Sequence, residues 1–452
     1  MEQSQQQFLK MTQSPIPKLI STLAIPTIIS MLTTSIYNMA DTFFVSKLGT
    51  SATGAVGIVF SLMAIIQAIG FTLGMGSGSL SSRLLGQQEN QKANEIGSTA
   101  FFTAIAFGLL LTIFGLLFID KLMRLLGATE TILPYAKDYA RFILLGAPIM
   151  CASFVLNNLL RAQGKAVLSM IGLTFGGVFN ILLDPVFIFL LHMGIAGAAI
   201  ATLFSQCVSF CILLFCFLSK KTIICLHYKN ISPRLQPYLS ILKTGMPSFC
   251  RQGLASASTV ALNVNAAAYG DAAVAAMSIT GKIFLFMMSF MIGFGQGFQP
   301  VAGYNYGAKC YDRVKQAYWF ALRVGIFLFT GMAAIGYFAA PWAIGLFQKG
   351  DPEVMRIGIY SFRAQCLALP LHPLIVTSNM LLQSVGKSWQ ATFLSAARQG
   401  IFFLPLIFLM PALFGLTGVQ LTQPIADIFT FACCFPFIIR FFGELNQKIP
   451  TA

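Results

Sequence analysis

The chain has 452 residues, of which 56% are hydrophobic and only 10% are charged. Its mean hydropathy of +0.77 is far from the balance of soluble proteins, in which about a quarter of the residues are charged. These values exclude an ordinary soluble domain and indicate a polytopic membrane protein. The net charge of +15 does not indicate a nucleic-acid partner, because the lysines and arginines lie mostly in short segments between apolar runs.

Twelve apolar runs are each long enough to cross a bilayer as a helix. They cover roughly residues 18–45, 53–79, 95–119, 132–160, 166–191, 195–219, 238–268, 272–300, 315–342, 354–384, 388–411 and 415–441. The sequence therefore predicts an all-α polytopic membrane protein with 12 transmembrane helices. Basic residues are about twice as frequent on the side of both termini, which predicts that both lie in the cytoplasm. The polar start is followed by a run longer than a signal-peptide core, so no segment is expected to be cleaved.

Residues of the first half, mainly glycines and prolines, recur in the second half at a nearly constant separation. The pairs 221 residues apart are Pro26 and Pro247, Gly49 and Gly270, Ala55 and Ala276, Gly74 and Gly295, Gly76 and Gly297, Gly86 and Gly307, Gly194 and Gly415, and Gly197 and Gly418. The pairs 222 residues apart are Pro148 and Pro370, Gly164 and Gly386, and Lys165 and Lys387. Copies of six spans keep the same orientation, so the sequence predicts two six-helix bundles related by a parallel pseudo-two-fold repeat, which suits rocking-type alternating access.

Three parts follow from this repeat. Residues 1–219 are predicted to form an N-terminal six-helix lobe with a cation site, and residues 238–452 a C-terminal six-helix lobe. The longest polar stretch, residues 220–237, is predicted to be a cytoplasmic linker between them.

Two acids of the N-terminal lobe lie deep in apolar runs. Asp184 follows Asn180 by one helical turn and directly precedes Pro185, whereas Asp41 lies near the outer end of the first span. A carboxylate inside hydrocarbon is costly, so it is tolerated where it faces a protein interior or a wet cavity. We therefore expect Asp41 and Asp184 to meet and bind a small cation. The alternative is that Asp184 only caps a broken helix.

Thr202 in the sixth span is predicted to lie at the same depth in the membrane as Asp41 and Asp184. Carboxylate, amide and hydroxyl oxygens suit Na⁺ or a proton rather than a transition metal. Two carboxylates that share a buried site cannot easily both stay ionised, so the pair is expected to hold a proton or a cation near neutral pH. Tyr37 and Asn38 lie on the helical face of Asp41, and Gln206 lies one turn beyond Thr202. These three side chains are predicted to line a substrate cavity.

The C-terminal lobe lacks these acids, since the counterpart of Asp41 is Leu262. Arg251 and Lys282 match in depth and are also predicted to line the substrate cavity, where they would flank an anionic or zwitterionic group; the alternative is that Lys282 extends to the membrane surface. Other buried ionisable residues here are Arg398 and Asp427, a predicted structural ion pair, and His372, to which no role is assigned. The ten cysteines show no metal spacing and the three histidines are far apart, so no cofactor is expected.

Several motifs resemble the multidrug and toxic compound extrusion (MATE) family, in particular its DinF-like bacterial branch. They are Tyr37 to Asp41, Arg83 to Gly86, Arg161 to Gly164, Asn180 to Pro185 and Phe414 to Val419. The resemblance covers nearly the whole chain. It implies a two-lobe exporter in the bacterial inner membrane, driven by a proton or sodium gradient, that moves small amphipathic drugs or metabolites. It also implies that the cation site consists of Asp41, Asn180, Asp184 and Thr202, with Tyr139 lining the same cavity.

The chain departs from the NorM-like branch of that family, which has acids in its seventh and tenth helices, so no C-terminal cation site is expected. We expect a monomer in the lipid bilayer, with H⁺ or Na⁺ as the coupling ion. One alternative function is a flippase for lipid-linked precursors, for which an extra pair of helices would be expected. Another is a membrane-embedded enzyme, but no nucleophile and base pair, metal cluster or phosphate loop supports it.

Overall fold

The computed structural model describes residues 2–219, 221–347 and 350–448, and all regular structure in these ranges is helical. The helices of the first half are α1 (Glu2–Gln13), α2 (Ile16–Ser46), α3 (Thr50–Gly86), α4 (Asn90–Leu117), α5 (Ile119–Leu125), α6 (Leu133–Ala162), α7 (Ala166–Pro185) and α8 (Gly194–Leu218). Those of the second half are α9 (Leu235–Ala267), α10 (Asp271–Gly307), α11 (Tyr311–Gly345), α12 (Pro352–Ala368), α13 (His372–Ser384), α14 (Ser388–Ala396), α15 (Phe403–Phe414) and α16 (Leu416–Asn446).

Eleven helical segments of the described chain are long and apolar enough to cross a membrane, as expected for a multi-pass membrane protein. The remaining predicted span is α9, which has 33 residues and sufficient length, but it contains Lys243 and Arg251 and is less apolar than the others. Two helices were not predicted. The first, α1, precedes the first span, and the second, α5, is a single short helix of 7 residues after α4.

Three spans are not regular α-helix over their whole length. A π-helical turn at Val186–Leu190 follows Pro185 at the end of α7. The tenth span divides into α12 and α13 at a 3₁₀ turn, Leu369–Leu371, which contains Pro370. The eleventh span divides into α14 and α15 at a second π turn, Ala397–Ile401. Such breaks free backbone groups from the regular helical ladder and often mark functional sites.

The backbone confirms the internal repeat. Both members of three predicted glycine pairs adopt positive φ angles: Gly49 and Gly270 (112° and 97°), Gly164 and Gly386 (73° and 88°), and Gly194 and Gly415 (58° and 58°). These backbone conformations are costly for residues with a Cβ atom. The turns that join equivalent helices therefore have the same geometry in both halves.

Contacts between the halves obey the same symmetry. A Cβ atom added to Gly86 at the end of α3 would lie 2.1 Å from the carbonyl oxygen of Tyr304 in α10. A Cβ atom added to Gly307 in α10 would lie 2.1 Å from the carbonyl oxygen of Arg83 in α3. Since Tyr304 follows Arg83 by 221 residues, as Gly307 follows Gly86, the two contacts are related by the repeat. The ends of α3 and α10 thus cross at the pseudo-two-fold axis.

Both ends of the described chain lie on one face of the molecule, which we call the terminal face. The ring of Phe8 in α1 lies 6.1 Å from that of Tyr304 at the end of α10, and Asn305 donates a hydrogen bond to the carbonyl of Met11. Beyond the end of α16, the ammonium group of Lys448 lies 5.8 Å from the ring centre of Tyr306. The predicted linker begins at Lys220, which is outside the described residues. Its described part packs on the same face, where Cys225 N–H donates to Asn94 at the start of α4.

Candidate functional site

The candidate cation site lies where α2, α6, α7 and α8 meet. Glycines on α7 allow close packing on both sides: a Cβ atom added to Gly177 would lie 2.8 Å from Thr33 in α2, and one added to Gly176 would lie 2.8 Å from Ser209 in α8. A larger residue at either position would push α7 away from its neighbours. These two glycines therefore allow α7 to place Asn180 and Asp184 between the helices that carry Asp41 and Thr202.

Asp41 is 6% exposed and receives one hydrogen bond. Its Oδ2 atom accepts from the hydroxyl of Tyr139 at 3.3 Å. Tyr139 comes from α6, is fully buried and also interacts with Thr202 of α8. The phenol therefore connects the acid of the first span to the hydroxyl of the sixth.

Asn180 connects the other two members of the set. Its Nδ2 atom donates at 3.3 Å to Oδ1 of Asp184 and at 3.3 Å to Oγ1 of Thr202. All three residues are buried, and the two carboxylates of Asp41 and Asp184 are close enough to interact electrostatically. The four predicted ligands and Tyr139 thus form one continuous polar cluster in an otherwise apolar lobe.

Three buried oxygens of this cluster have no hydrogen-bond donor among the described residues: Asp41 Oδ1, Asn180 Oδ1 and Asp184 Oδ2. Neither acid forms an ion pair there with a lysine or arginine. A buried polar oxygen without a donor is costly, and an unpaired buried carboxylate is costlier still. The two carboxylate oxygens can take up a proton and all three oxygens can coordinate a cation, and a bound cation would compensate two acids that have no basic partner among the described residues. The donor set contains only oxygen, which fits Na⁺ or H⁺ and not a transition metal.

The remaining predicted cavity residues lie outside this cluster. Tyr37 is half-buried next to Asp41, with which it interacts electrostatically. Asn38 and Gln206 are half-buried, and their side chains have no hydrogen bond to the cluster. In the other lobe, Arg251 in α9 is half-buried and Lys282 in α10 is exposed. Neither forms an ion pair with any acid in the part of the chain that the structure describes.

The structure confirms the predicted ion pair in the C-terminal lobe: Arg398 Nε lies 2.8 Å from Asp427 Oδ1. It also shows a partner that sequence reasoning missed, because His372 Nε2 lies 3.2 Å from Asp427 Oδ2. The signals available were the prolines on both sides of His372 and its position in the middle of the tenth span. They indicate a helix break but do not show in which direction the imidazole points.

A second missed group joins the two lobes. Arg161 in α6 is buried and donates hydrogen bonds to Gln296 in α10 and to Asn158 in its own helix. Gln299 donates to Ser79 in α3 at 3.2 Å. The repeat offered a clue, since Gln383, the counterpart of Arg161 in the second half, also makes buried hydrogen bonds between helices.

Comparisons with known proteins agree with this arrangement. The MatE family model matches residues 26–186 and 247–409, one region in each half. The multidrug export protein MepA of Staphylococcus haemolyticus (strain JCSC1435) is 27% identical over 431 residues, which cover 93% of each chain. MepA of Staphylococcus aureus (strain MSSA476) is 28% identical over 419 residues, or 92% of each chain.

Solved structures match the fold over nearly its full length. A multidrug resistance MATE family transporter of the MOP superfamily, in an outward-facing conformation, superposes with a TM-score of 0.92. It is 26% identical and covers 97% of this chain and 98% of that chain. With a family match in both halves, relatives matched over more than nine-tenths of their length and the same arrangement of helices, this chain belongs to the MATE family of transporters.

Proposed function

We propose that this protein is a secondary antiporter that exports small amphipathic drugs or metabolites, driven by inward movement of H⁺ or Na⁺. In this proposal Asp41, Asn180, Asp184 and Thr202 hold the coupling ion, and Tyr139 orients Asp41. The observation that carries the proposal is the group of three buried oxygens on Asp41, Asn180 and Asp184 that have no hydrogen-bond donor in the described chain. The related MepA proteins are multidrug export proteins by name, which supports the efflux function.

A comparison within the molecule supports the cation site. Asp427, the buried acid of the C-terminal lobe, has Arg398 as its cationic partner. Asp41 and Asp184 are buried to a similar degree but lack such a partner among the described residues. In this proposal Arg398 neutralises Asp427 permanently, whereas the coupling ion neutralises Asp41 and Asp184 while it is bound.

Alternating access requires that the lobes separate at one face while they close at the other. The hydrogen bonds of Arg161 with Gln296 and of Gln299 with Ser79 hold the lobes together in the half of the membrane nearest the terminal face. If the terminal face is cytoplasmic, as the distribution of basic residues predicts, this conformation is closed to the cytoplasm. Ion binding between α2, α7 and α8 would then change the packing of α2, where Pro26 provides a bend point.

The flippase alternative gains no support. Beyond the twelve expected spans, the described chain adds α1, with 12 residues, α5, with 7 residues, and a 3₁₀ turn at Tyr228–Asn230, and none of these is long enough to cross a bilayer. The enzyme alternative is also not supported, because the relatives described above are named as export proteins.

The experiment is ion-driven efflux in proteoliposomes that contain purified protein, with proton and sodium gradients imposed separately. Asp41→Asn keeps the shape of the side chain but removes the charge, so gradient-driven efflux is expected to collapse while the protein still inserts. The matched control is Asp138→Asn, since Asp138 is an exposed acid of α6 that only faces Arg141 at 3.7 Å. Coupled efflux retained by Asp41→Asn at the wild-type rate would refute the assigned site. The gradient that supports efflux in the wild type identifies the ion.

A further inference from the structure

The C-terminal lobe contains a buried charged cluster, defined by His372, Arg398 and Asp427, that the proposed ion site does not use. Arg398 Nε donates to Asp427 Oδ1 at 2.8 Å, and Gln423 Nε2 donates to the same oxygen at 3.0 Å. His372 is fully buried, and Asp427 is 1% exposed. His372 Nε2 lies 3.1 Å from Arg398 Nη2 and 3.2 Å from Asp427 Oδ2.

The hydrogen-bond chemistry around His372 permits two states. Nδ1 lies 3.2 Å from the carbonyl oxygen of Ala368, which can only accept, so Nδ1 carries a proton in both states. Nε2 faces a guanidinium nitrogen that can only donate and a carboxylate oxygen that can only accept. Without a proton, Nε2 accepts from Arg398; with a proton, it donates to Asp427. It cannot satisfy both neighbours at once.

We infer that His372 is a proton-binding site whose occupancy exchanges one interhelical hydrogen bond for another. Neutral His372 connects α13 to the π turn Ala397–Ile401 through Arg398. When Nε2 takes up a proton, this hydrogen bond is replaced by one to Asp427 in α16, and Arg398 keeps only its bond to the same acid. Proton uptake thus removes a hydrogen bond between the tenth and eleventh spans and adds one between the tenth and twelfth spans.

The position of the cluster in the fold fits such an exchange. His372 begins α13 directly after the 3₁₀ break, and Arg398 lies within a π turn, so both side chains lie at places where the helical ladder is already open. Among the described residues, the charged groups in contact with His372 are Arg398 and Asp427. From α10, the ring of Phe284 packs edge-on against the imidazole at 5.4 Å and also lies 5.8 Å from the Arg398 guanidinium.

This inference rests on the transport function proposed above only for its physiological role, because proton binding can be measured without transport. The chain has three histidines, so nitrogen NMR of protein with ¹⁵N-labelled histidine can resolve each ring, with His372→Gln to assign its signals. At high pH, His372 is expected to be neutral with its proton on Nδ1, and at low pH to carry protons on both nitrogens. Asp427→Asn is expected to remove the doubly protonated form over the same pH interval.

A neutral ring with its proton on Nε2, or a single unchanged state from about pH 5 to pH 9, would overturn the inference and leave His372 as a static packing residue. A second measurement is the rate of efflux at a fixed gradient and varying absolute pH. His372→Gln is expected to flatten the pH dependence, whereas the control His192→Gln, at an exposed position between α7 and α8, keeps it. A pH profile of His372→Gln identical to the wild type would contradict the inference. Loss of gradient-driven efflux in Asp41→Asn tests the N-terminal ion site and leaves the inference on His372 unaffected.

Discussion

Removal of Arg398 is the most direct test of the energetics of the C-terminal cluster. Arg398→Met retains much of the side-chain length but removes the Nε donor 2.8 Å from Asp427 and the Nη2 donor 3.1 Å from His372. Asp427 keeps Gln423 as a donor but has no cation, at 1% exposure. Loss of one partner of a buried ion pair typically costs about 3–5 kcal/mol, which is expected to lower the melting temperature of the detergent-purified protein by several degrees.

Two further variants separate the charge effect from packing. The double variant Arg398→Met/Asp427→Leu removes both charges and is expected to recover most of the loss, because replacement of a buried ion pair by apolar residues is often neutral. Arg141→Met breaks an exposed pair, in which both side chains are more than half exposed, and should change stability by less than about 0.5 kcal/mol.

The pH dependence of the Arg398→Met defect has a definite sign. His372 can take up a proton and become the cationic partner of Asp427, so the defect is expected to be smaller at about pH 5.5 than at about pH 8. Thermal unfolding of wild type and variant at both pH values measures this difference. A defect below about 1 kcal/mol, or one equally large in the double variant, would refute the reasoning that Arg398 neutralises a buried acid.

Three other predictions concern the ion site, the lobe interface and the substrate cavity. A coupling cation at a hundred times its Kd is expected to stabilise wild type by about 2.7 kcal/mol but not Asp184→Asn, and a thermal shift of the same size in both would contradict the site. Gly86→Ala is expected to cost about 1–3 kcal/mol because its Cβ atom would lie 2.1 Å from the Tyr304 carbonyl oxygen, whereas the control Gly253→Ala, with nothing within 4 Å, costs nothing measurable in thermal unfolding. Arg251→Glu is expected to shift efflux from anionic towards cationic dyes, and an unchanged profile would exclude Arg251 from the cavity.

The helical fold was predictable from the sequence because its signals are local. Apolar runs and their glycine and proline boundaries place all twelve spans on observed helices, and the largest differences, of seven residues, are at the ends of α3 and α10. The repeat pairs Gly194 with Gly415, and both adopt a φ angle of 58°. The π turns at Val186–Leu190 and Ala397–Ile401 were not predictable. The first turn is wholly apolar and the second contains Arg398 and Gln399, so the two turns share no hydrophobic pattern that would show where the hydrogen-bond ladder shifts.

The candidate site was predictable in part, for a related reason. An acid in an apolar run is visible in the sequence, which is why Asp41 and Asp184 could be selected before their contacts were known. The hydroxyl contact of Tyr139 with Asp41 and the imidazole contact of His372 with Asp427 depend on how helices rotate and cross. Side-chain packing between helices sets those angles, and a single sequence does not show it. The ligand role of the N-terminal residues stays a prediction.

The two lobes differ in the partners that they provide for their buried carboxylates. A buried carboxylate needs a positive charge nearby, and the C-terminal lobe supplies it permanently with Arg398, while His372 provides a second, protonatable partner. The N-terminal lobe supplies hydroxyl and amide donors to Asp41 and Asp184 but no cation from its described residues. Since the scaffold is the same, we propose that this difference in charge, rather than any difference in fold, decides which lobe can bind and release a coupling ion. Transfer of an arginine into contact with Asp184 would accordingly be expected to stabilise the N-terminal lobe and to abolish coupling at the same time.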